Sequence, residues 1–247
     1  AVSLWRRRWK IDYSAWRVWH GILATLIVVL AMGHVVLARH YLNQPWKQAL
    51  WLGYGAFWVG LLLYVRLLKP LLLLRRPYAV ESVRAERGGA STMVLRPIGH
   101  SGIPFMPGQF AQVSVFGAGE IPLSLPPSPT EDRVFFTTRK VGRVTAAMHE
   151  LQPGDRFGVR GPYGNGFPMQ DYVGRNLIIV AGGIGLIPLR SVIIYALDNR
   201  DKYQKIQVFY GARTPKDLMY VDNLKAWQQD KGFECYLTVD QGDSSWN

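Results

Sequence analysis

The side chains with most to offer chemically are two histidines and a cluster of glycines. His20 and His34 bracket the apolar stretch WHGILATLIVVLAMGH and stand fourteen residues apart. On an α-helix that spacing falls about 40° short of four turns, so both imidazoles share one face, about 21 Å apart along the axis. An ionisable group inside a membrane helix is costly and usually functional, and neutral imidazole is a haem-iron ligand. Two haems stacked across a bilayer would use His20 and His34 in this way. The alternatives are an interfacial ring at His20 and a helix–helix hydrogen bond at His34. Each haem would need a second axial ligand from helices outside this chain, because the next apolar run has no histidine.

The glycines lie in AGGIGLIP, residues 181–188, directly after the apolar run NLIIV and before LRSVIIYALDNR. A strand that ends in glycines and turns into a helix lets a dinucleotide pyrophosphate approach backbone N–H groups, which places Gly182, Gly183, Gly185 and Pro188 at such a turn. The spacing is not the standard GxGxxG, and a plain tight turn is the other reading.

These features need elements to position them. Residues 21–38 and 49–65 carry no formal charge, and each run is about long enough to cross a bilayer as a helix. Trp5, Trp9, Trp16, Trp19, Trp46 and Trp51 gather near the run ends, as in interfacial belts. The net charge of +12 is concentrated in WRRRWK and around Arg66, Lys69, Arg75 and Arg76. The intervening loop offers only Arg39 and Lys47. That distribution predicts a transmembrane hairpin, helices about 19–39 and 48–74, with both ends and the following soluble region on the cytoplasmic side of the plasma membrane. It argues against nucleic-acid binding, since no basic helix or aromatic platform accompanies the charge.

From residue 81 the pattern changes to short alternating strands, STMVLR, QFAQVSV, RVFFTTR and DRFGVR, separated by Gly and Pro turns, which predicts a small antiparallel β-barrel over 81–172. NLIIV, a helix, KIQVFY and FECYLTV then predict a parallel-sheet α/β domain over 173–247. A single cysteine, Cys235, in the apolar pattern FECYL, excludes a disulfide framework or a cysteine-ligated cluster within these residues and reads as a packed thiol. The chain begins without Met and stops at DQGDSSWN, where an α/β domain would still be adding elements, so it reads as lacking both ends.

Two resemblances join these parts. The H-x13-H helix, the short loop and a second helix leading into YVRLLKPLLLLRRPYAV, residues 1–80, resemble the last two membrane helices of the ferric reductase and NADPH oxidase superfamily. That resemblance implies two b-type haems on His20 and His34 and delivery of electrons to ferric iron or oxygen. FMPGQFAQVSV, EIPLSLPPSP, RKVGRVTAAMH and LQPGDRFGVRGPYGNGFP occur in the order and spacing of the ferredoxin–NADP reductase family. It implies a flavin-binding barrel followed by a nicotinamide-binding domain, with FAD as the flavin and FMN as the alternative. By this resemblance Pro122, Leu123 and Ser124 run along the isoalloxazine, Ser124 being the candidate catalytic partner of the flavin N5 region. Gly142, Arg143, Val144 and Thr145 match the second flavin motif, with Thr145 either helping to cradle a phosphate or acting as a helix cap. Gly211 and Arg213 stand where the family places further nicotinamide contacts, and Asp240 stands where NADP-linked relatives hold a 2′-phosphate. A carboxylate there favours NADH, while Arg213 and Lys216 keep NADPH open.

The wording departs from the membrane relatives at Ile121 and over Leu125, Pro126, Pro127 and Ser128, and EIPLS and GARTPKDLMY look closer to NAD-linked gamma subunits of hydrogenases and sulfhydrogenases. The expectation is a membrane-bound NAD(P)H:acceptor oxidoreductase in contact with lipid, relaying electrons through FAD and haem b to a small-molecule acceptor. The alternative is a membrane-anchored flavin reductase without haem that exchanges electrons with an iron–sulfur or quinone partner.

Overall fold

The computed structural model describes residues 13–38, 42–68, 77–131, 133–244 and 246. The chain divides into two compact units, Ala1–Leu72 and Leu73–Asn247.

In the first unit, α1 spans Tyr13–Ala38 and α2 spans Pro45–Leu63, followed by a single π-helical turn, Tyr64–Leu68. Twenty-six residues make α1 about 39 Å long. The Thr25 hydroxyl is satisfied within the helix, its Oγ1 donating to the Gly21 carbonyl at 2.9 Å. Pro45 starts α2, where a missing N–H costs nothing. The two helices pack where Met32 sits over Gly55; a Cβ on Gly55 would lie 2.6 Å from Met32 Cε.

The expected transmembrane hairpin is reduced to one candidate crossing. Among the described residues only Trp19–Ala38 is long and apolar enough to span a membrane. In α2, Lys47, Gln48, three glycines and the polar edges of Trp and Tyr side chains dilute the aliphatic content. The basic clusters at 6–10 and 69–76, together with Trp5, Trp9 and Arg39, lie outside the described residues.

The second unit holds two layers. The first is an antiparallel sheet of β1 (Pro77–Ala85), β2 (Ala90–Pro97), β3 (Phe110–Val115), β4 (Gly119–Ser124), β5 (Val134–Arg139) and β6 (Arg156–Tyr163), in the order β4-β3-β6-β1-β2-β5. Alternation does its expected work on β3, where Ala111, Val113 and Val115 face inward onto Met93, Leu95, Phe136 and Phe157. The expected antiparallel barrel is present as a curled half-barrel: β4 and β5 are the two ends of the sheet and share no ladder. Pro122, which has no N–H to donate, sits on the edge strand β4, where such a residue is tolerated. The buried segment Leu125–Ser128 follows β4. A short helix, α3 (Arg143–His149), packs on β3 and β4.

The second layer is a parallel sheet, β7 (Leu177–Gly182), β8 (Ile206–Ala212) and β9 (Phe233–Val239), in that order. Helices α4 (Leu186–Asp198) and α5 (Val221–Trp227) make the crossovers. One sheet face is closed by apolar side chains including Ile193, Ala196 and Leu224. On β7, Ile178 and Val180 remain 65% and 72% exposed, and Phe209 stacks on Tyr236 at 4.9 Å. The hydrophobic seal is therefore one-sided. Cys235 is half-buried on β9, and burial pushes its thiol up to about 11, which makes it a poor nucleophile.

Specific polar contacts join the layers. Arg190 on α4, only 7% exposed, donates to the Pro126 carbonyl at 3.0 Å and pairs with both oxygens of Glu131 at 2.9 and 3.2 Å. Its guanidinium also lies 4.8 Å from the Phe135 ring and 5.7 Å from that of Tyr220. Tyr220 reaches Thr137 at 2.6 Å, and Thr137 reaches Thr92 at 2.7 Å, a buried hydroxyl chain that runs into the antiparallel sheet. Burial pushes the Tyr220 phenol up to about 12. Ser191 accepts the Gly108 N–H at 3.0 Å. Removing the fork should matter most: Arg190→Ala is expected to cost about 2–3 kcal/mol, because the Pro126 carbonyl loses its partner and Glu131, left with the Ser128 N–H, loses its counter-charge. Thermal denaturation should register a fall in melting temperature of about 5–10 °C.

Candidate functional site

Strands β7, β8 and β9 all end at the same edge, and a cleft of about 620 Å³ opens there, lined by Arg139, Gly182, Gly183, Ile184, Gly211, Ala212, Arg213, Asp217 and Asp240. Binding at the carboxyl ends of parallel strands follows from topology, because that is where loops diverge and leave a crevice. Register supplies the detail. Gly182 pairs with Gly211, so two residues without side chains lie side by side at the strand ends. The ladder between β8 and β9 runs one step further, with Asp240 N–H donating to Ala212 O at 3.1 Å and Gln241 N–H to Arg213 O at 2.9 Å. That extension brings Arg213 and Asp240 to one rim.

The glycine turn is shaped for close approach. Gly183 has φ +49°, a left-handed conformation that costs other residues about 1–2 kcal/mol. A Cβ built on Gly182, Gly183 or Gly185 would meet nothing within 4 Å, so the space above the turn is open. Gly185 caps α4 and Pro188 lies in its first turn; neither is among the residues that line the cleft. The turn is braced from below. Tyr210, fully buried on β8, donates from its hydroxyl to the Gly183 carbonyl at 3.0 Å and accepts the Met219 N–H at 2.9 Å. Burial pushes the Tyr210 phenol upward, so it stays a protonated donor. An open glycine turn, two arginines and a rim carboxylate suit a dinucleotide: backbone and cations for the pyrophosphate, Asp240 for ribose hydroxyls.

The flavin-motif residues also come together. Pro122, Leu123 and Ser124 pair with Gln112, Ala111 and Phe110 on β3, and α3, which begins at the Gly142 to Thr145 motif, packs on the same two strands. Thr145 is not the N-cap. Gly142 holds that position and Thr145 lies three residues on, its hydroxyl accepting the Val141 and Gly142 N–H groups at 3.0 and 2.9 Å. The same hydroxyl lies 2.9 Å from the Gly142 carbonyl, so it is committed to the turn. The first backbone N–H groups of α3 are left facing outward by helix geometry. Arg143 donates to the Gly117 carbonyl in the β3–β4 turn. His149 closes α3 through a 2.9 Å hydrogen bond to the Thr138 carbonyl and takes a structural part.

His20 and His34 lie on the uninterrupted helix α1, both exposed. The His20 ring stacks on Trp16 at 4.9 Å and 17°. Two histidines on one helix give one ligand to each of two haems, and α2 has no histidine to complete either pair. Among the described residues no group of three or more His, Cys, Asp or Glu side chains gathers into a metal site. The haem expectation therefore lacks a complete ligand set here.

Arg139 and Asp217 lie inside the motif stretches RKVGRVTAAMH and GARTPKDLMY without standing out as site residues, and Tyr210 carries no signal of its own. Arg139 and Asp217 reach the cleft from separate parts of the chain, and Tyr210 reads as one more apolar position of a buried strand. Tyr210→Phe keeps the packing and removes the brace. It should cost about 1–2 kcal/mol, since the Met219 N–H and Gly183 carbonyl both lose a partner, and should speed amide exchange over residues 183–186 relative to the centre of β8.

Residues 179–247 match the family model described as the oxidoreductase NAD-binding domain. The chain is 49% identical over 120 residues to the sulfhydrogenase 2 gamma subunit of Pyrococcus furiosus, an alignment covering 49% of this chain and 41% of that protein. It is 37% identical over 142 residues to a probable dihydroorotate dehydrogenase B (NAD(+)) electron transfer subunit of Thermococcus kodakarensis, covering 58% and 54%. The chain thus spans about half the length of the curated relatives it matches. Among solved structures, phthalate dioxygenase reductase superposes with a TM-score of 0.59 at 22% identity, over 69% of this chain and 53% of that one. The H286L mutant of ferredoxin–NADP+ reductase from Plasmodium falciparum superposes with a TM-score of 0.59 at 14% identity, over 70% and 73%. The curled antiparallel sheet and the parallel sheet beside it therefore form a ferredoxin-reductase-like fold, whose part from residue 179 onward is similar to the oxidoreductase NAD-binding domain.

Proposed function

We propose that this chain is the NADH-linked flavin module of an electron-transfer system, passing electrons from the nicotinamide to a partner redox protein. The observation that carries the reading is the cleft at the ends of β7, β8 and β9, where an open glycine turn faces Arg139, Arg213 and Asp240. The similarity to a hydrogenase-type gamma subunit and to an electron transfer subunit supports exchange with an iron–sulfur or similar partner. When bound, nicotinamide and flavin supply hydride transfer and its division into single electrons.

The chain's own part is binding, orientation and exclusion of water. Gly182 and Gly183 leave room for the pyrophosphate, and Tyr210 holds their turn in place. Asp240 accepts hydrogen bonds from ribose hydroxyls and repels a 2′-phosphate, which favours NADH over NADPH. Pro122 to Ser124 on the edge of the antiparallel sheet and the start of α3 hold the flavin, with Ser124 toward its reactive ring. FAD is the flavin favoured by the fold, and its phosphates would meet the outward N–H groups of α3 rather than the occupied Thr145 hydroxyl.

A second reading routes electrons through haem to ferric iron or oxygen. Its support is that His20 and His34 share one face of α1, which contains the apolar segment Trp19–Ala38. The electron-transfer relatives favour the first reading. In either, α1 anchors the chain in a membrane, with the reductase unit on the cytoplasmic side.

The test is anaerobic addition of NADH to the flavin-loaded chain in detergent, followed by an oxidised iron–sulfur protein or ferric citrate. The expected result is bleaching of the visible flavin band, faster with NADH than NADPH, and reoxidation by the iron–sulfur protein. Failure to retain flavin, or a flavin band unmoved by NADH, would overturn the proposal. The appearance of a b-type haem band on reduction would favour the second reading.

A further inference from the structure

Among the described residues Tyr220 is the one residue other than glycine with a left-handed backbone, at φ +53° and ψ +29°. A bulky residue adopts that conformation at a cost, and keeps it only where its surroundings fix it from several sides. The Tyr220 carbonyl accepts the Leu224 N–H at 2.9 Å, which opens α5, while its phenol leaves the parallel layer and reaches Thr137 on β5 at 2.6 Å. The direction of that bond follows from the far end of the chain. Thr92 Oγ1 donates to the Glu86 carboxylate at 2.9 Å, so it accepts from Thr137, its ladder partner, and Thr137 in turn accepts from Tyr220. Tyr220 is therefore a committed donor, in keeping with a phenol that burial holds protonated.

One residue back, the Met219 N–H donates to the Tyr210 hydroxyl, and Tyr210 donates to the Gly183 carbonyl in the glycine turn. Leu218, Met219 and Tyr220 are all buried, so the backbone between the two tyrosine contacts is packed. A continuous route thus joins Glu86 and Thr92 in the antiparallel layer to the turn that shapes the cleft in the parallel one. Its middle is the left-handed residue. Neither Tyr220 nor Thr137 lines the cleft.

We propose that Tyr220 is a positioning residue for the nucleotide turn: its phenol, anchored on Thr137 of the antiparallel sheet, holds a left-handed backbone that delivers the Met219 N–H to Tyr210 and so fixes Gly183. The inference rests on the nucleotide reading of the cleft and adds that a hydroxyl of the other sheet sets part of its affinity. Without that anchor the Tyr220 backbone relaxes out of the left-handed region, the Met219 N–H turns from Tyr210, and the Gly183 carbonyl loses its fixed donor.

The experiment is calorimetric titration of the chain with ADP-ribose, with melting temperature and amide exchange measured alongside. Thr137→Val keeps the shape and removes the anchor; it is expected to weaken ADP-ribose about 3- to 30-fold, the range for residues that couple to a site without touching its ligand. Thr137→Ser keeps the hydroxyl and should bind within about twofold of wild type. In a Tyr210→Phe background, Thr137→Val should add less than about twofold, because the route is already cut. A lowered melting temperature with unchanged ADP-ribose affinity overturns the assignment, as do additive effects of Thr137→Val and Tyr210→Phe. Should Thr137→Val fail to fold, Tyr220→Phe breaks the same bond from the other side and carries the same expectations. Wild-type chain that binds no ADP-ribose overturns the nucleotide reading, and exchange then decides the positioning role by itself. Thr137→Val should speed exchange over residues 183–186 relative to the centre of β8, and an unchanged ratio contradicts the proposal.

Discussion

Arg139 belongs to one sheet and Gly183 to another, so the cleft they share exists only while the two layers are held in register. The contacts that hold them are polar and directional. Arg190, almost wholly buried, forks onto Glu131 and the Pro126 carbonyl, and its charge is sandwiched by Phe135 and Tyr220. A greasy interface would hold the layers together in many registers; a guanidinium with fixed acceptors selects one. The Tyr220, Thr137 and Thr92 hydroxyl chain works in the same way one strand over. The position of every cleft residue contributed by the antiparallel sheet depends on these joints.

Within that frame the chemistry is mostly backbone. The parallel sheet ends in Gly182 and Gly211 side by side, and Gly183 turns the chain through a left-handed conformation. What keeps so permissive a turn in place is a single rigid phenol beneath it, Tyr210, bonded to Gly183 on one side and Met219 on the other. Charge is sparse and balanced, two arginines against two aspartates, so the cleft has fixed poles without a net field that would repel a dianion.

Much of this was legible in the linear chain because the signals are local. AGGIGLIP follows an apolar strand and precedes a helix, and the cleft forms around it. The Asp240 position follows β9, and parallel pairing carries it to the rim beside Arg213. What was not legible depends on long-range geometry. Arg139 reads as the end of one strand, Asp217 as part of a turn and Tyr210 as strand core until the fold brings them together. The antiparallel barrel expected from strand spacing is a half-barrel, because whether β4 pairs with β5 is a tertiary matter that periodicity does not encode. Thr145 reads in the linear chain as phosphate cradle or cap; its hydroxyl serves the turn, from the third helical position rather than the cap. In the membrane half the two runs without charge are nearly equal in length, but tryptophan, tyrosine and glycine leave α2 less apolar than charge counting implies.

The central claim is that a nicotinamide dinucleotide lies at the ends of β7, β8 and β9, held by both layers. A crystal structure with NAD+ tests it most directly. The account predicts the pyrophosphate over Gly182 and Gly183 with Arg139 turned onto it and a ribose against Asp240. A dinucleotide bound elsewhere, or one whose pyrophosphate contacts neither the glycine turn nor Arg139, would contradict it.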